Sequence, residues 1–197
     1  MEVGTHTLSF FTSCYKVSPI IQSKQTKLQN SLMATSSSSS SAASMIEGLP
    51  QHQVFINFRG EELRHNFISH LETAFKNDEI NYYIETDEAR SQPIEILFDR
   101  IDQSDIALAV FSKRYSESKW CLDELVKIMK NVKENKLRVI PVFFNVKVDD
   151  VKHQEGESGG NFYGKNHRER TIIQQQEWKE ALKSAPTKMA LVLANFT

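Results

Sequence analysis

From Gln53 onward the apolar residues of this chain alternate between short unbroken runs and recurrences at helical spacing. Val54-Phe55-Ile56-Asn57-Phe58 is a run that stops at Gly60, which predicts a buried strand. Leu63, Phe67, Leu71 and Phe75 follow at every fourth position and predict a helix with one apolar face. Asn81–Glu85 predicts a second short strand, Ile94–Ile101 a helix, and Ile106-Ala107-Leu108-Ala109-Val110-Phe111 a wholly apolar third strand. Cys121, Leu125, Ile128 and Val132 form the next helical stripe. Val139–Phe144 reads as a fourth strand, Trp178, Ala181 and Leu182 as a helix, and Met189–Leu193 as a fifth strand. Strands that alternate with helices and are apolar on both faces predict an α/β fold, a parallel sheet covered on both sides. Ligands of such sheets bind outside the carboxyl ends of the strands. The loops after Phe58, Glu85, Phe111 and Asn145 are therefore where chemistry is expected.

Residues 1–51 follow neither pattern. Ser36–Ser41 is an unbroken serine run, and no acidic residue occurs between Glu2 and Glu47. Such a stretch buries too little apolar surface to offset its ordering entropy, so it reads as a disordered Ser-rich extension. An organelle transit peptide is the alternative, although Lys16, Lys24 and Lys27 are its only cations and it has no Arg. Residues 52–197 form the expected domain. Composition agrees: of 197 residues 40% are apolar and 25% charged, the range of one globular domain.

Charge narrows the classes further. The 24 Lys and Arg balance 25 Asp and Glu to a net charge of -1, which leaves no basic footprint for nucleic acid. No apolar run reaches the roughly 18 residues of a membrane span. Cys14 and Cys121 lie far apart in regions of different character, which argues against a disulfide framework and for a reducing, cytoplasmic setting. With a transit peptide the address becomes a plastid instead. No His/Cys spacing fits a metal site, and no phosphate-binding glycine motif or nucleophile elbow is present.

Two groups of residues in the strand-end loops carry candidate chemistry. Arg59 and Gly60 follow the first strand and Arg64 lies one turn on, so two guanidinium forks can converge on an anion there. Equally, both are surface arginines that flank a helix start. In Ser118-Lys119-Trp120-Cys121-Leu122-Asp123-Glu124-Leu125 a serine able to cap a helix precedes Trp120, and Glu124 follows the tryptophan by one turn. A flat ring beside a carboxylate suits a stacked ligand. The competing reading makes Trp120 a core residue and Glu124 a surface acid paired with Lys127. Asp87, Glu88 and Arg90 before Pro93 read as a charged turn.

Taken together, Val54-Phe55-Ile56-Asn57-Phe58-Arg59-Gly60-Glu61-Glu62-Leu63-Arg64, Asn66-Phe67-Ile68-Ser69-His70-Leu71, Ser118–Leu125 and Val139-Ile140-Pro141-Val142-Phe143-Phe144 resemble plant TIR domains in order and spacing. The resemblance covers residues 52 to 193 and no further module follows, so the chain looks like a TIR-only protein. It implies a flavodoxin-like fold with five parallel strands and helices on both faces. It also implies an NAD+ hydrolase of plant innate immune signalling that works as an assembly of TIR domains, with NAD+, and NADP+ as an alternative, as substrate rather than cofactor. Glu124 matches the catalytic glutamate. Phe58, Arg59, Gly60, Arg64, Ser118 and Trp120 match the nucleotide pocket, and Ser69 and His70 match a symmetric self-association contact. Asp87, Glu88, Arg90 and Ser91 fall in the family's head-to-tail assembly loop.

Two features depart from the family pattern. Arg90 is followed by Ser91 where the family carries glycine, and Glu88 stands where it carries leucine. If that glycine holds a positive φ, a serine costs about 1–2 kcal/mol there. The helix expected after the fifth strand is missing, since the sequence ends at Thr197. Both departures suit a different class of function, a non-catalytic TIR interaction module that modulates immune receptors.

Overall fold

The structure, a computed structural model, describes residues 52–85, 93–162, 171–188 and 190–193. The Ser-rich extension, the assembly-loop residues Asp87, Glu88, Arg90 and Ser91, and the stretch after Leu193 lie outside the described residues. Among the described residues there are five parallel strands: β1 (His52–Phe58), β2 (Tyr82–Ile84), β3 (Ser104–Phe111), β4 (Arg138–Phe144) and β5 (Leu191–Leu193). Their order is β2-β1-β3-β4-β5, the flavodoxin-like arrangement. The expected α/β architecture is therefore found, with β2 and β5 each trimmed to three residues.

Parallel strands need crossovers, and helices supply them. After β1 come α1 (Gly60–Leu63), a π-helical turn (Arg64–Ile68) and α2 (Ser69–Asn77). An α-helix turns about 100° per residue, so a spacing of four drifts by roughly 40° at each step. The wider π turn takes up that drift. Leu63, Phe67, Leu71 and Phe75 all stay buried as a result. Helix α3 (Ile94–Asp102) leads into β3, and a 3-10 turn (Tyr115–Glu117) and α4 (Lys119–Lys133) lead into β4. Helices α5 (Val148–His153), α6 (Gly156–Phe162) and α7 (Ile172–Ser184) precede a second 3-10 turn and β5.

Two cores lie on opposite faces of the sheet, and strand alternation decides which residue joins which. Val54, Ile56, Phe58, Ile106, Leu108, Val110, Val142 and Phe144 pack with Leu63, Phe67, Ile68, Leu71 and Phe75. Phe55, Ala107, Ala109, Phe111, Val139 and Phe143 pack with Cys121, Leu122, Leu125, Ile128 and Trp178. All eight residues of β3 are buried, as expected of a strand covered on both faces. Trp178 is fully buried and its indole Nε1 donates to Asp123 Oδ1 at 2.8 Å, which ties α7 to α4.

Candidate functional site

The chain reverses its direction of travel across the sheet between β1 and β3, so the crevice at their carboxyl ends is where this fold places ligands. Asn57 is the lone polar residue near the end of β1. It shares the face of Phe55 and stands in register with Ala109 of β3. That face meets α4. The apolar stripe of α4 runs through Cys121, Leu125 and Ile128, and Glu124 falls within the same stripe rather than on the solvent side.

The two polar residues meet. Asn57 Nδ2 donates to Glu124 Oε2 at 2.7 Å and to the Cys121 carbonyl at 3.2 Å. Because a carbonyl only accepts, the amide nitrogen must face it, which leaves Asn57 Oδ1 to accept from the Tyr115 hydroxyl. That hydroxyl also lies 3.0 Å from the Cys121 carbonyl. Asn57, Tyr115 and Glu124 are buried at 0%, 1% and 2% exposure, so the chain Tyr115 to Asn57 to Glu124 works in a low dielectric, where each hydrogen bond is strong and costly to lose. Burial pushes the Tyr115 phenol well above its ordinary range, and the nearby Cys121 and Glu124 add to the rise, so it remains a donor.

Helix α4 is aimed at the site by its own cap. Ser118 has extended backbone angles and its hydroxyl accepts from Cys121 N at 3.3 Å, as the sequence predicted. Trp120 is half-buried on the first turn. The pairing of Glu124 with Lys127 is not found: Lys127 binds Asp102 Oδ2 at 2.7 Å, and Glu124 is buried. The reason is rotational, because position 124 belongs to the inward stripe and position 127 to its flank.

The two arginines are both engaged within the chain and turn to different neighbours. Arg59 forms an ion pair with Glu117 at 2.9 Å, on the β3 side of β1. Glu117 also binds Arg114, and that guanidinium, with Arg59 behind it, holds the carboxyl below its usual range against the opposing effect of burial. Arg64 donates to the Glu85 carbonyl at 2.9 Å, on the β2 side, and its guanidinium lies 5.4 Å over the Phe58 ring. Phe58 is buried and Gly60 opens α1. Ser69 is half-buried and His70 exposed at the start of α2, where the Ser69 hydroxyl donates to the Asn66 carbonyl at 2.8 Å.

Three residues of this site were not singled out from the sequence: Asn57, Tyr115 and the buried Glu85 at the end of β2. Burial raises the Tyr83 phenol above its ordinary value, opposed by Arg100 and reinforced by the charges of Glu85 and Glu124. Asn57 did leave a signal, a side-chain amide inside an otherwise apolar strand. Among the described residues no cluster of three or more His, Cys, Asp or Glu can hold a metal ion, and no helix is long and apolar enough to cross a membrane.

Comparison with known proteins bears on this geometry. Disease resistance protein LAZ5 of Arabidopsis thaliana is 54% identical over 155 residues, which is 78% of this chain and 13% of LAZ5. A TIR domain-containing protein of the same plant is 45% identical over 153 residues, 73% of this chain and 60% of that protein. The chain thus spans only part of the curated relatives it matches. The TIR domains in a structure of the activated Roq1 resistosome, described as directly recognizing the pathogen effector XopQ, align with a TM-score of 0.64 and 32% identity. That alignment covers 74% of this chain and 89% of the Roq1 one. The model of the TIR domain matches residues 51–194, and the chain belongs to the TIR domain family.

Proposed function

We propose that this chain is an NAD+ hydrolase of plant innate immune signalling, active when several TIR domains assemble. The observation that carries the reading is Glu124, a buried carboxylate fixed by Asn57 at the carboxyl end of β1. Hydrolysis breaks the bond between the ribose anomeric carbon and the nicotinamide nitrogen. The bonding electrons return to the ring, which leaves neutral, so no acid has to protonate it. Water adds to the anomeric carbon and loses its proton to solvent. What remains for the protein is to stabilise positive charge on the ribose, a task for one preorganised carboxylate. Glu124 takes that role, and Trp120 and Ser118 on the turn before it border the space for the nucleotide. Arg59 and Arg64 exchange their partners Glu117 and the Glu85 carbonyl for the diphosphate. NADP+ is the alternative substrate.

The test is nicotinamide release from NAD+ by purified protein. Glu124→Ala is expected to lower turnover by at least about 100-fold, the scale of losing one preorganised electrostatic group. Glu124→Gln, whose amide oxygen still accepts from Asn57, serves as the folding control and is expected to be equally inactive. Equal turnover by wild type and Glu124→Ala ends the proposal.

One observation favours a second reading, a non-catalytic module that binds other TIR domains. Both pocket arginines are already occupied within the chain, by Glu117 and by the Glu85 carbonyl. Co-purification with a full-length TIR receptor, together with no NAD+ turnover at high protein concentration, would select this reading.

A further inference from the structure

Away from the strand ends, α4 and α7 pack side by side and leave a surface groove of about 650 Å³ between them. Val126, Met129 and Ala181 contribute apolar lining from the two helices. Each helix presents a spaced row to this groove. On α4 it is Val126, Met129, Lys130 and Lys133, and on α7 it is Ile173, Glu177, Glu180 and Ser184. Ile172 and Ile173 stand at the mouth, 87% and 74% exposed, just after the Thr171 cap that accepts from Gln174 N. Two adjacent β-branched apolar side chains left in water at the head of a capped helix contribute nothing to this core.

The charges sort by helix. Lys130 and Lys133 are exposed on the α4 rim, and Glu177 and Glu180 are exposed on the α7 rim. None of the four takes part in the ion pairs found among the described residues, although they border one groove. An acidic partner would meet repulsion along α7 and a basic one along α4. A surface with a positive and a negative rim on either side of an apolar floor is instead complementary to itself under a two-fold rotation. The α4 rim of one copy then faces the α7 rim of the other, twice, and the isoleucines of each enter the groove of its mate.

We propose that the α4/α7 groove is a docking surface for a second copy of this chain, joined through a two-fold axis by Ile172 and Ile173 and by Lys130 and Lys133 against Glu177 and Glu180. The surface lies on helices outside the strand-end crevice, so the inference stands whether or not the chain hydrolyses NAD+.

Sedimentation of the full chain over a concentration series reads it, against a monomer mass of 22.6 kDa. Half-dimerisation is expected in the micromolar range, roughly 1–100 µM. Lys130→Glu with Lys133→Glu makes one variant, and Glu177→Lys with Glu180→Lys makes the other. All four positions are exposed, so both variants are expected to melt like wild type. Each alone sets like charge against like at both rim contacts and is expected to raise the dissociation constant at least about tenfold. An equimolar mixture restores opposite charge at both contacts and is expected to dimerise as wild type does. Ile173→Glu is expected to raise the dissociation constant at least about tenfold by placing charge in the groove. A wild type that stays monomeric, a dissociation constant unchanged in either charge variant, or a mixture no tighter than either variant alone overturns the proposal. So does binding of the isoleucine pair to lipid vesicles in place of a second copy.

Discussion

Replacing Asn57 by aspartate tests whether the donated amide proton is what lets the Glu124 carboxyl sit in the core. The change is nearly isosteric, yet it sets a carboxyl where Nδ2 lay 2.7 Å from Glu124 Oε2. Two carboxylates with charge centres about 4 Å apart repel by about 4 kcal/mol at an effective dielectric of 20. The pair therefore keeps one proton, and that proton also supplies the donor that the amide provided. Repulsion inside the folded pair raises its affinity for that proton above that of the unfolded chain. Where the folded pair holds a proton that the unfolded chain has released, the native state binds more protons, so stability falls as pH rises. Urea denaturation of wild type and Asn57→Asp across pH 4 to 8 reads the difference. The destabilisation is expected to be smallest at the acid end of that range and to grow as pH rises, by up to about 4 kcal/mol. Asn57→Ala, which removes the donor without adding a charge, is expected to lose a constant amount over that window. If the two variants show parallel pH profiles, the new carboxyl does not couple to Glu124 and the reasoning fails.

Two further outcomes follow from the segments that brace the site. A Cβ on Gly159 would lie 1.9 Å from the Gln154 carbonyl oxygen, a backbone atom, whereas nothing lies within 4 Å of one on Gly160. Gly159→Ala is expected to lower the urea midpoint by the equivalent of about 1–3 kcal/mol, and Gly160→Ala to leave it level or raise it; similar midpoints would contradict the close approach. Glu117→Gln removes a carboxylate whose pKa is held down chiefly by Arg114, so its contribution is present above about pH 4.5 and disappears as pH falls through the lower folded value. A loss of no more than about 1 kcal/mol at pH 7 that shrinks as pH falls below 4.5 is expected in denaturation, since the pair is partly exposed, and a loss that is constant with pH would assign it to packing instead.

The architecture was readable because burial on both faces leaves an unmistakable trace. Ile106–Phe111 contains no polar residue to mark a solvent side, and a strand of that kind belongs in the middle of a covered sheet. The four-residue recurrence from Leu63 to Phe75 likewise announced a single buried helical face. It concealed the π turn at Arg64–Ile68 that makes this face possible, because that turn arises from packing against β1, β3 and β4 rather than from local preference. At Trp120 and Glu124 spacing left two readings open. Both residues fit a stacked ligand site or an ordinary amphipathic helix, and it is the rotation of α4 against the sheet that turns Glu124 inward and leaves Lys127 to Asp102.

Whereas α5, α6 and the short 3-10 and π turns left no such trace, what the sequence by itself determined is the five strands, the helical stretches that became α2, α3, α4 and α7 and, through its motifs, the family. These depend on periodicity, capping residues and short-range spacing, all of which are local. The tertiary structure alone decided that Glu124 is buried and that Asn57, 67 positions away, is the group that holds it. It also decided that Arg59 and Arg64 turn to Glu117 and the Glu85 carbonyl on opposite sides of β1. The physical reason is the crossover topology. In a parallel sheet the neighbours at a strand's carboxyl end come from segments tens of residues apart, so the partners of each polar side chain are set by strand order and helix rotation, which no local pattern encodes.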